Sequence, residues 1–171
     1  MSYCDAKPVR IGVLADTHLG DSPQNRDFLT RLVADVLAPV DLLLHAGDLV
    51  SPELLDLFGD CPVHAVRGNM DPAVPGVPLK KTLRVAGMTL GLIHGWGPPQ
   101  GLEDRVAAEF DADKLDCLVY GHSHRPACHR RDGILFFNPG SATDRRAMAF
   151  HSVGLLEIDT TINGTIIALE D

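Results

Sequence analysis

A chain of 171 residues with 45% hydrophobic content can close the core of one domain, since domains commonly run to ~100–200 residues. Its formal charge of −8, with lysines and arginines scattered rather than striped, excludes the basic field that long nucleic acids need; small anionic substrates stay open, because bound divalent cations reverse the local sign of a site. No apolar run reaches the ~18–20 residues of a membrane span, and the start MSYCDAKPVR lacks the ~7–15-residue apolar segment of a signal peptide.

In chain order, VRIGVLAD (9–16), VDLLLHAGD (40–48) and CPVHAVRGN (61–69) each read as a buried strand ending in a Gly or an acid. Between the first two, RDFLTRLVADVLA (26–38) puts Phe28, Leu29, Leu32, Val33, Val36 and Leu37 on one helical face. SPELLDLF (51–58) opens with a Ser cap, a Pro in the first helical position and an early Glu, which predicts a second helix. The Pro-rich PAVPGVP (72–78) is a loop. TLRVAGMTLGLIHG (82–95) reads as two strands around a tight Ala86-Gly87 turn, GLEDRVAAEF (101–110) as a helix, and LDCLVYG (115–121) and GILFFNPG (133–140) as strands. SVGLLEIDTTINGTIIALE (152–170) reads as two alternating runs joined through Asn163-Gly164, a strong hairpin signal. Parallel units followed by hairpins predict stacked mixed sheets flanked by helices. The four cysteines, Cys4, Cys61, Cys117 and Cys128, form no C-x-x-C pair; Cys61 and Cys117 border apolar strands and read as small buried hydrophobes in a reduced cytoplasm.

Polar residues recur at the strand ends: Asp16 and His18 after the first, Asp48 after the second, Asn69 and Asp71 after the third, His94 after the hairpin, His122 and His124 after the next. In open α/β sheets that edge is where ligands bind. Each residue alone has a plainer role, as a turn or cap residue or a histidine bonded to a loop carbonyl. Together they would need the same coincidence at five strand ends. The spacing of His122 and His124 would point both side chains the same way along an extended backbone. Imidazole, carboxylate and amide in one crevice suit borderline divalent metals. Seven such ligands are too many for one tetrahedral zinc, and two metals sharing one carboxylate fit better.

D-T-H (16–18), G-D (47–48), G-N-M-D (68–71), H-G (94–95) and G-H-S-H (121–124), in this order over most of the chain, resemble the calcineurin-like metallophosphoesterases. The short length, G-N-x-D and N-P-G-S at 138–141 are similar to the small single-domain YfcE-like phosphodiesterases. The resemblance implies a four-layer αββα sandwich, with two mixed β-sheets flanked by helices, as one domain over 1–171. It implies that Asp16, His18 and His124 hold one metal, that Asn69, His94 and His122 hold the other, and that Asp48 bridges them. Two divalent ions per chain, Mn foremost with Fe, Ni, Co, Zn or Mg as alternatives, would then serve hydrolysis of a small phosphoester by a hydroxide bridging them. Coordination lowers the pKa of water from about 15.7 to about 7, and a second metal ~3.5–4 Å away offsets charge in the in-line transition state.

Where many larger members have G-N-H-[ED], this chain has Met70, so the histidine that resembles a leaving-group acid is missing. General acid catalysis is typically worth ~10²–10⁴-fold, which biases the chain toward esters with good leaving groups. Asp71 is the candidate left to supply a proton or to orient a ligand. Where many relatives read H-G-H, this chain has Trp96, its only tryptophan, which either covers the loop or stacks on a base or aryl group. His45 reads as packing behind the site; Arg67, Arg145 and Arg146 could approach phosphate but read first as solvated surface, and Asn138 to Ser141 as a tight loop near the metals by resemblance. His64, His129 and His151 stay outside the site. The partner expected is a small phosphoester, a phosphodiester before a monoester, with a homodimer or higher homo-oligomer open. A scaffold of the retromer-subunit type is the alternative, disfavoured because binding alone gives no chemical reason to keep seven ligands.

Overall fold

The computed structural model describes residues 7–110 and 114–170; Cys4 lies outside them. Its strands are β1 (Val9–Leu14), β2 (Leu42–His45), β3 (Val63–Ala65), β4 (Lys80–Val85), β5 (Met88–Ile93), β6 (Cys117–Val119), β7 (Ala127–Arg131), β8 (Ile134–Asn138), β9 (His151–Ile158) and β10 (Ile162–Leu169). They form two five-stranded mixed sheets, ordered β10-β9-β1-β2-β3 and β4-β5-β6-β8-β7. Within them β1, β2 and β3 run parallel, as do β5, β6 and β8.

The layering follows from period-2 alternation in strands buried on both faces. Val13, Leu44, Val119 and Phe137 point between the sheets, where they pack with Ile11, Leu90, Leu92 and Leu156. Their neighbours Leu14 and Leu43 turn outward onto Leu29, Leu32 and Leu37 of the first helical segment. Leu118 and Phe136 turn outward onto Leu102 and Val106 of helix α2 (Leu102–Ala107). The result is helix, sheet, sheet, helix, the expected αββα sandwich.

Several local expectations are corrected. Helix α1 (Pro23–Arg31) begins three residues before the expected start, because Ser22 accepts the Asn25 N–H at 3.2 Å and Pro23 fills the first turn. It continues as a π-helix over Leu32–Leu37, with the Ala38 N–H reaching the Val33 carbonyl five residues back; that wider turn keeps both Leu32 and Leu37 buried while Phe28 faces outward. Residues Pro52–Phe58 form a 3₁₀ helix that Ser51 does not cap. The Ser51 hydroxyl instead accepts the Asp21 N–H at 3.0 Å. Helix α2 is shorter than its apolar pattern suggested.

Strand β7 went unread because its sequence, ACHRR, is polar. It is an edge strand whose Arg131 guanidinium lies 4.4 Å from the Phe136 ring centroid and whose His129 stacks on the same ring at 5.8 Å. Asn163-Gly164 is not the terminal hairpin turn. The turn lies at Asp159–Thr161, where the Asp159 carboxylate accepts the Thr161 N–H at 2.9 Å, while Asn163 and Gly164 pair with Glu157 and Leu156 inside β10. Glycine is needed there for space: a Cβ on Gly164 would stand 2.7 Å from the Phe137 ring.

Candidate metal centre

The carboxyl ends of β1, β2, β3, β5 and β6 lie along one edge, so the loops that follow them meet where the two sheets come together. Backbone bonds lock this meeting: the Asp16 and His18 N–H groups donate to the Gly47 and Asp48 carbonyls at 2.9 Å each, and the Gly121 N–H to the His94 carbonyl at 3.1 Å. Gly47 and Gly68 have no room for a side chain. A Cβ would come within 2.8 Å of the His94 side chain at Gly47, where φ is +90°, and within 2.1 Å of Asp48 Oδ1 at Gly68.

Two groups of ligand-type atoms result. Asp16, His18 and His124 form one, with His18 Nε2 and His124 Nε2 3.2 Å apart and Asp16 Oδ1 3.5 Å from the latter. In the other, Asn69 Oδ1 stands 3.2 Å from both His94 Nε2 and His122 Nδ1. Asp48 lies between the groups, its Oδ2 3.7 Å from His18 Nε2 and 3.4 Å from His94 Nε2. Asp16 also reaches across, 3.8 Å from His94.

The protonation pattern of the imidazoles is set from behind. A backbone carbonyl only accepts, so the ring nitrogen facing one must donate. His94 Nδ1–H donates to Ala46 at 2.7 Å, His124 Nδ1–H to Asp144 at 2.5 Å and His122 Nε2–H to Gly97 at 2.8 Å. In the neutral ring the opposite nitrogen then turns a lone pair into the cluster, the arrangement in which histidine binds metal. Asn69 turns its side-chain amide toward the inward nitrogens of His94 and His122. Buried Asp16 adds an Oδ2 with no hydrogen-bond partner among the described residues. A buried carboxylate oxygen without a donor is costly, and a divalent cation relieves it; the imidazole, amide and carboxylate groups fit such an ion.

Electrostatics agree. Burial pushes the Asp16 carboxyl up to about 7, against the pull of His94. Burial also works against Asp48, but His94, the Met70 N–H and His18 hold it down to about 2. For His94 the effect of burial is outweighed by Asp48 and Asp16, which raise the imidazole above its ordinary value; His122 and His124 are lowered, chiefly by burial. Cations entering such a site displace protons.

The backbone at the site is strained. Asp16, His18, Asp48, His122 and His124 all have φ between 47° and 68°, a region that costs a non-glycine residue about 1–2 kcal/mol. This corrects the extended geometry expected for His122 and His124. Each histidine reaches its own group through a left-handed turn, His122 toward Asn69 and His124 toward His18.

Residues around the ligands hold these turns. Asp71 accepts the N–H groups of Asp48 at 2.8 Å, Val50 at 2.7 Å and Gly68 at 2.8 Å, so its carboxylate clamps the Asp48 loop. Asn138 Nδ2 donates to the Gly121 carbonyl and to Ser123 Oγ at 3.1 Å each, and Ser141 Oγ donates to the Asp16 carbonyl at 2.7 Å. The 138–141 turn thus braces the two strained loops. His45 packs behind the site: Nδ1 accepts the Gly47 N–H, so Nε2–H donates to Thr17 Oγ1 at 3.0 Å, and burial pushes the ring down to about 3.

Arg146 is exposed, as expected, and lies near the deep group. Its Nε lies 3.8 Å from Asp144 Oδ2, which is 3.5 Å from His124 Nδ1, and its charge is felt at Asp16, His122 and His124. Arg145 turns away to the Met148 and Ala149 carbonyls. His64 sits against Lys81, and His129 against Glu103. Cys61, Cys117 and Cys128 are free thiols, Cys117 buried and Cys61 half-buried. Among the described residues no helix is long and apolar enough to cross a membrane.

The model of the calcineurin-like phosphoesterase superfamily domain matches residues 9–161. A protein of Methanothermobacter thermautotrophicus named "probable metallophosphoesterase" is 36% identical over 152 residues, covering 87% of this chain and 86% of its own. Among solved structures, a conserved uncharacterised protein of Streptococcus pneumoniae TIGR4, described as a predicted phosphoesterase, superposes with a TM-score of 0.72 at 23% identity, covering 95% of this chain and 91% of that one. Vacuolar protein sorting 29 from Cryptosporidium parvum superposes with a TM-score of 0.67 at 22% identity, covering 97% and 100%. Both structures share the fold.

Proposed function

Because the chain belongs to the calcineurin-like phosphoesterase superfamily, we propose that it is a divalent-metal-dependent hydrolase of small phosphoesters, acting on diesters in preference to monoesters. The observation that carries this reading is the set of three histidines, each pinned through one ring nitrogen to a backbone carbonyl and turning its other nitrogen inward. In this reading Asp16, His18 and His124 hold one cation, Asn69, His94 and His122 hold a second, and Asp48 lies between them. The mixed nitrogen and oxygen donors favour Mn, with Fe, Ni, Co, Zn or Mg as substitutes. Two such cations supply a water of lowered pKa and neutralise the phosphoryl charge.

The chain's own residues have separate tasks. Asp48 sets the spacing of the two halves, and its Oδ1 is held by the Met70 N–H at 2.8 Å. Asp71, with three N–H groups on its carboxylate, orients the Asp48 loop rather than donating a proton. Arg146 brings positive charge to the half containing His124, where an ester anion would gain from it. Met70 carries no proton to give a leaving group, so esters of acidic alcohols and phenols are favoured over simple alkyl esters. We further propose that the chain acts as one YfcE-like domain in the cytoplasm.

A protein-binding role is the second reading, favoured by the shared fold with vacuolar protein sorting 29. A metal-binding set alone does not separate it from catalysis, since a vacuolar protein sorting 29 of Entamoeba histolytica is itself complexed with Zn²⁺; turnover does. Hydrolysis of an activated aryl phosphodiester and of the matching monoester, after stripping metal and restoring Mn²⁺, separates the readings. Turnover that appears only with metal and is faster on the diester is expected; bound metal with no turnover on either ester would turn the assignment to the scaffold.

A further inference from the structure

We infer that Trp96 and Met70 form an apolar platform beside the Asn69–His94–His122 half of the centre, a subsite for a planar aromatic group carried by the phosphoester; this rests on the phosphoesterase reading above. Five large apolar side chains among the described residues are exposed: Phe28, Met70, Leu79, Trp96 and Phe150. Single exposed apolar residues are ordinary. Two of these five adjoin candidate ligands in sequence, Met70 directly after Asn69 and Trp96 two residues after His94.

Their backbones are fixed while their side chains stay partly open to solvent. Arg105 donates from Nε and Nη2 to the Trp96 carbonyl at 3.0 and 2.9 Å, and from Nη1 to the Gln100 carbonyl at 2.9 Å. The next carbonyl, Gly97, accepts from His122. Gly95 and Gly97 flank the tryptophan with φ of 101° and 77°, a sharp double bend that side-chain-bearing residues resist. Trp96 is 44% exposed, so part of its side chain rests on the protein and the rest is open to a ligand. Met70 is held in the same way: its N–H is tied to Asp48 Oδ1 at 2.8 Å, and the residue is 58% exposed. Both side chains are thus presented from rigid backbone that the centre itself anchors. That arrangement lowers the ordering cost of binding a ligand.

The chemistry of the pair selects the ligand. Indole offers a flat face for stacking, and a thioether adapts to a ring edge. The other half of the centre carries Arg146. An ester with its anion on the metal side and an aryl or nucleobase group on the Trp96 side matches this polarity, whereas a small alkyl ester leaves the platform wet.

Trp96 is the only tryptophan, so its fluorescence reports occupancy without turnover. The protein loaded with Mg²⁺, which does not quench indole emission by paramagnetism, is titrated with phenylphosphonate and with methylphosphonate. Phenylphosphonate should change the emission and bind about two- to twelvefold more tightly, the range expected for one aromatic stack. In inhibition of aryl diester hydrolysis, Trp96→Ala should bring the two phosphonates to near-equal inhibition constants, Trp96→Phe should keep part of the difference, and Met70→Ala should reduce it less. Equal affinities for the two phosphonates in an active wild-type enzyme would overturn the subsite and leave the phosphoesterase reading intact. A wild-type protein that hydrolyses no phosphoester with any divalent ion would overturn that reading, and this inference with it.

Discussion

The two halves of the centre differ in depth and in company. The Asp16–His18–His124 half is the deeper: Asp16 and His124 are buried, His18 is half-buried, and the nearby charged groups are Asp144 and Arg146. In the Asn69–His94–His122 half only His94 is buried, Asn69 is exposed, and Met70 and Trp96 stand beside it. On the proposed reading the deep half would hold its cation away from water, and the open half would leave room for ligands of varied shape.

Asp48, shared by both halves, should give the largest effect. Asp48→Asn keeps the size and removes the charge that faces His18 and His94, and turnover should fall by about 10³-fold, on the order of 4 kcal/mol at ~1.4 kcal/mol per decade. A loss under tenfold in steady-state assays would remove Asp48 from between the halves.

Asp16 distinguishes the deep half by pH. Its carboxyl takes up a proton near pH 7 in the folded protein and near 3.8 in the unfolded chain, so the folded state holds the extra proton in between. Its contribution to metal-free stability is accordingly lost as pH rises from about 4 to about 7, against the opposite contribution of His45, whose ring is pushed down to about 3 and so favours the folded state as pH rises through the same range. Asp16→Asn should remove the first and leave the second, so that its denaturant melts gain stability from about pH 4 to about pH 7 relative to the wild-type protein, and a pH dependence identical to the wild type would contradict the burial argument. Asn138→Ala withdraws the donor shared by the Gly121 carbonyl and Ser123 Oγ, and both halves should lose metal affinity by about 10–100-fold with little change in the far-ultraviolet spectrum. The smallest effect on stability belongs to the open half. His122→Gly relieves a φ of 68° and should leave metal-free stability unchanged or raise it by up to about 1 kcal/mol while turnover falls; a drop in stability above about 2 kcal/mol would show that His122 holds the fold rather than the ligand.

Much of this was legible from side chains. The alternation that turns Val13 inward and Leu14 outward placed the sheets, and Asp16, Asp48, Asn69, His94 and His122 fell at strand ends where the structure brings them together. What stayed hidden was carried by backbone. The carbonyls of Ala46, Gly97 and Asp144, which fix the imidazoles, have no signature in the residue type, and neither do the left-handed turns at His122 and His124. Strand β7 escaped because Arg131 and His129 cover Phe136 in place of apolar side chains. Arg146 is the solvated arginine that the sequence suggested; that its charge reaches His124 depends on the fold. The Ser22-Pro23 start of α1 was readable by the same cap signal that misled at Ser51, where the hydroxyl is taken by the Asp21 N–H.

That each half holds its own cation is tested most directly by equilibrium dialysis of the stripped protein against Mn²⁺, with His124→Ala and His122→Ala alongside it. Two ions per chain in the wild-type protein and one in each variant are predicted. One ion in the wild-type protein, unchanged by His122→Ala, would contradict the two-halved centre.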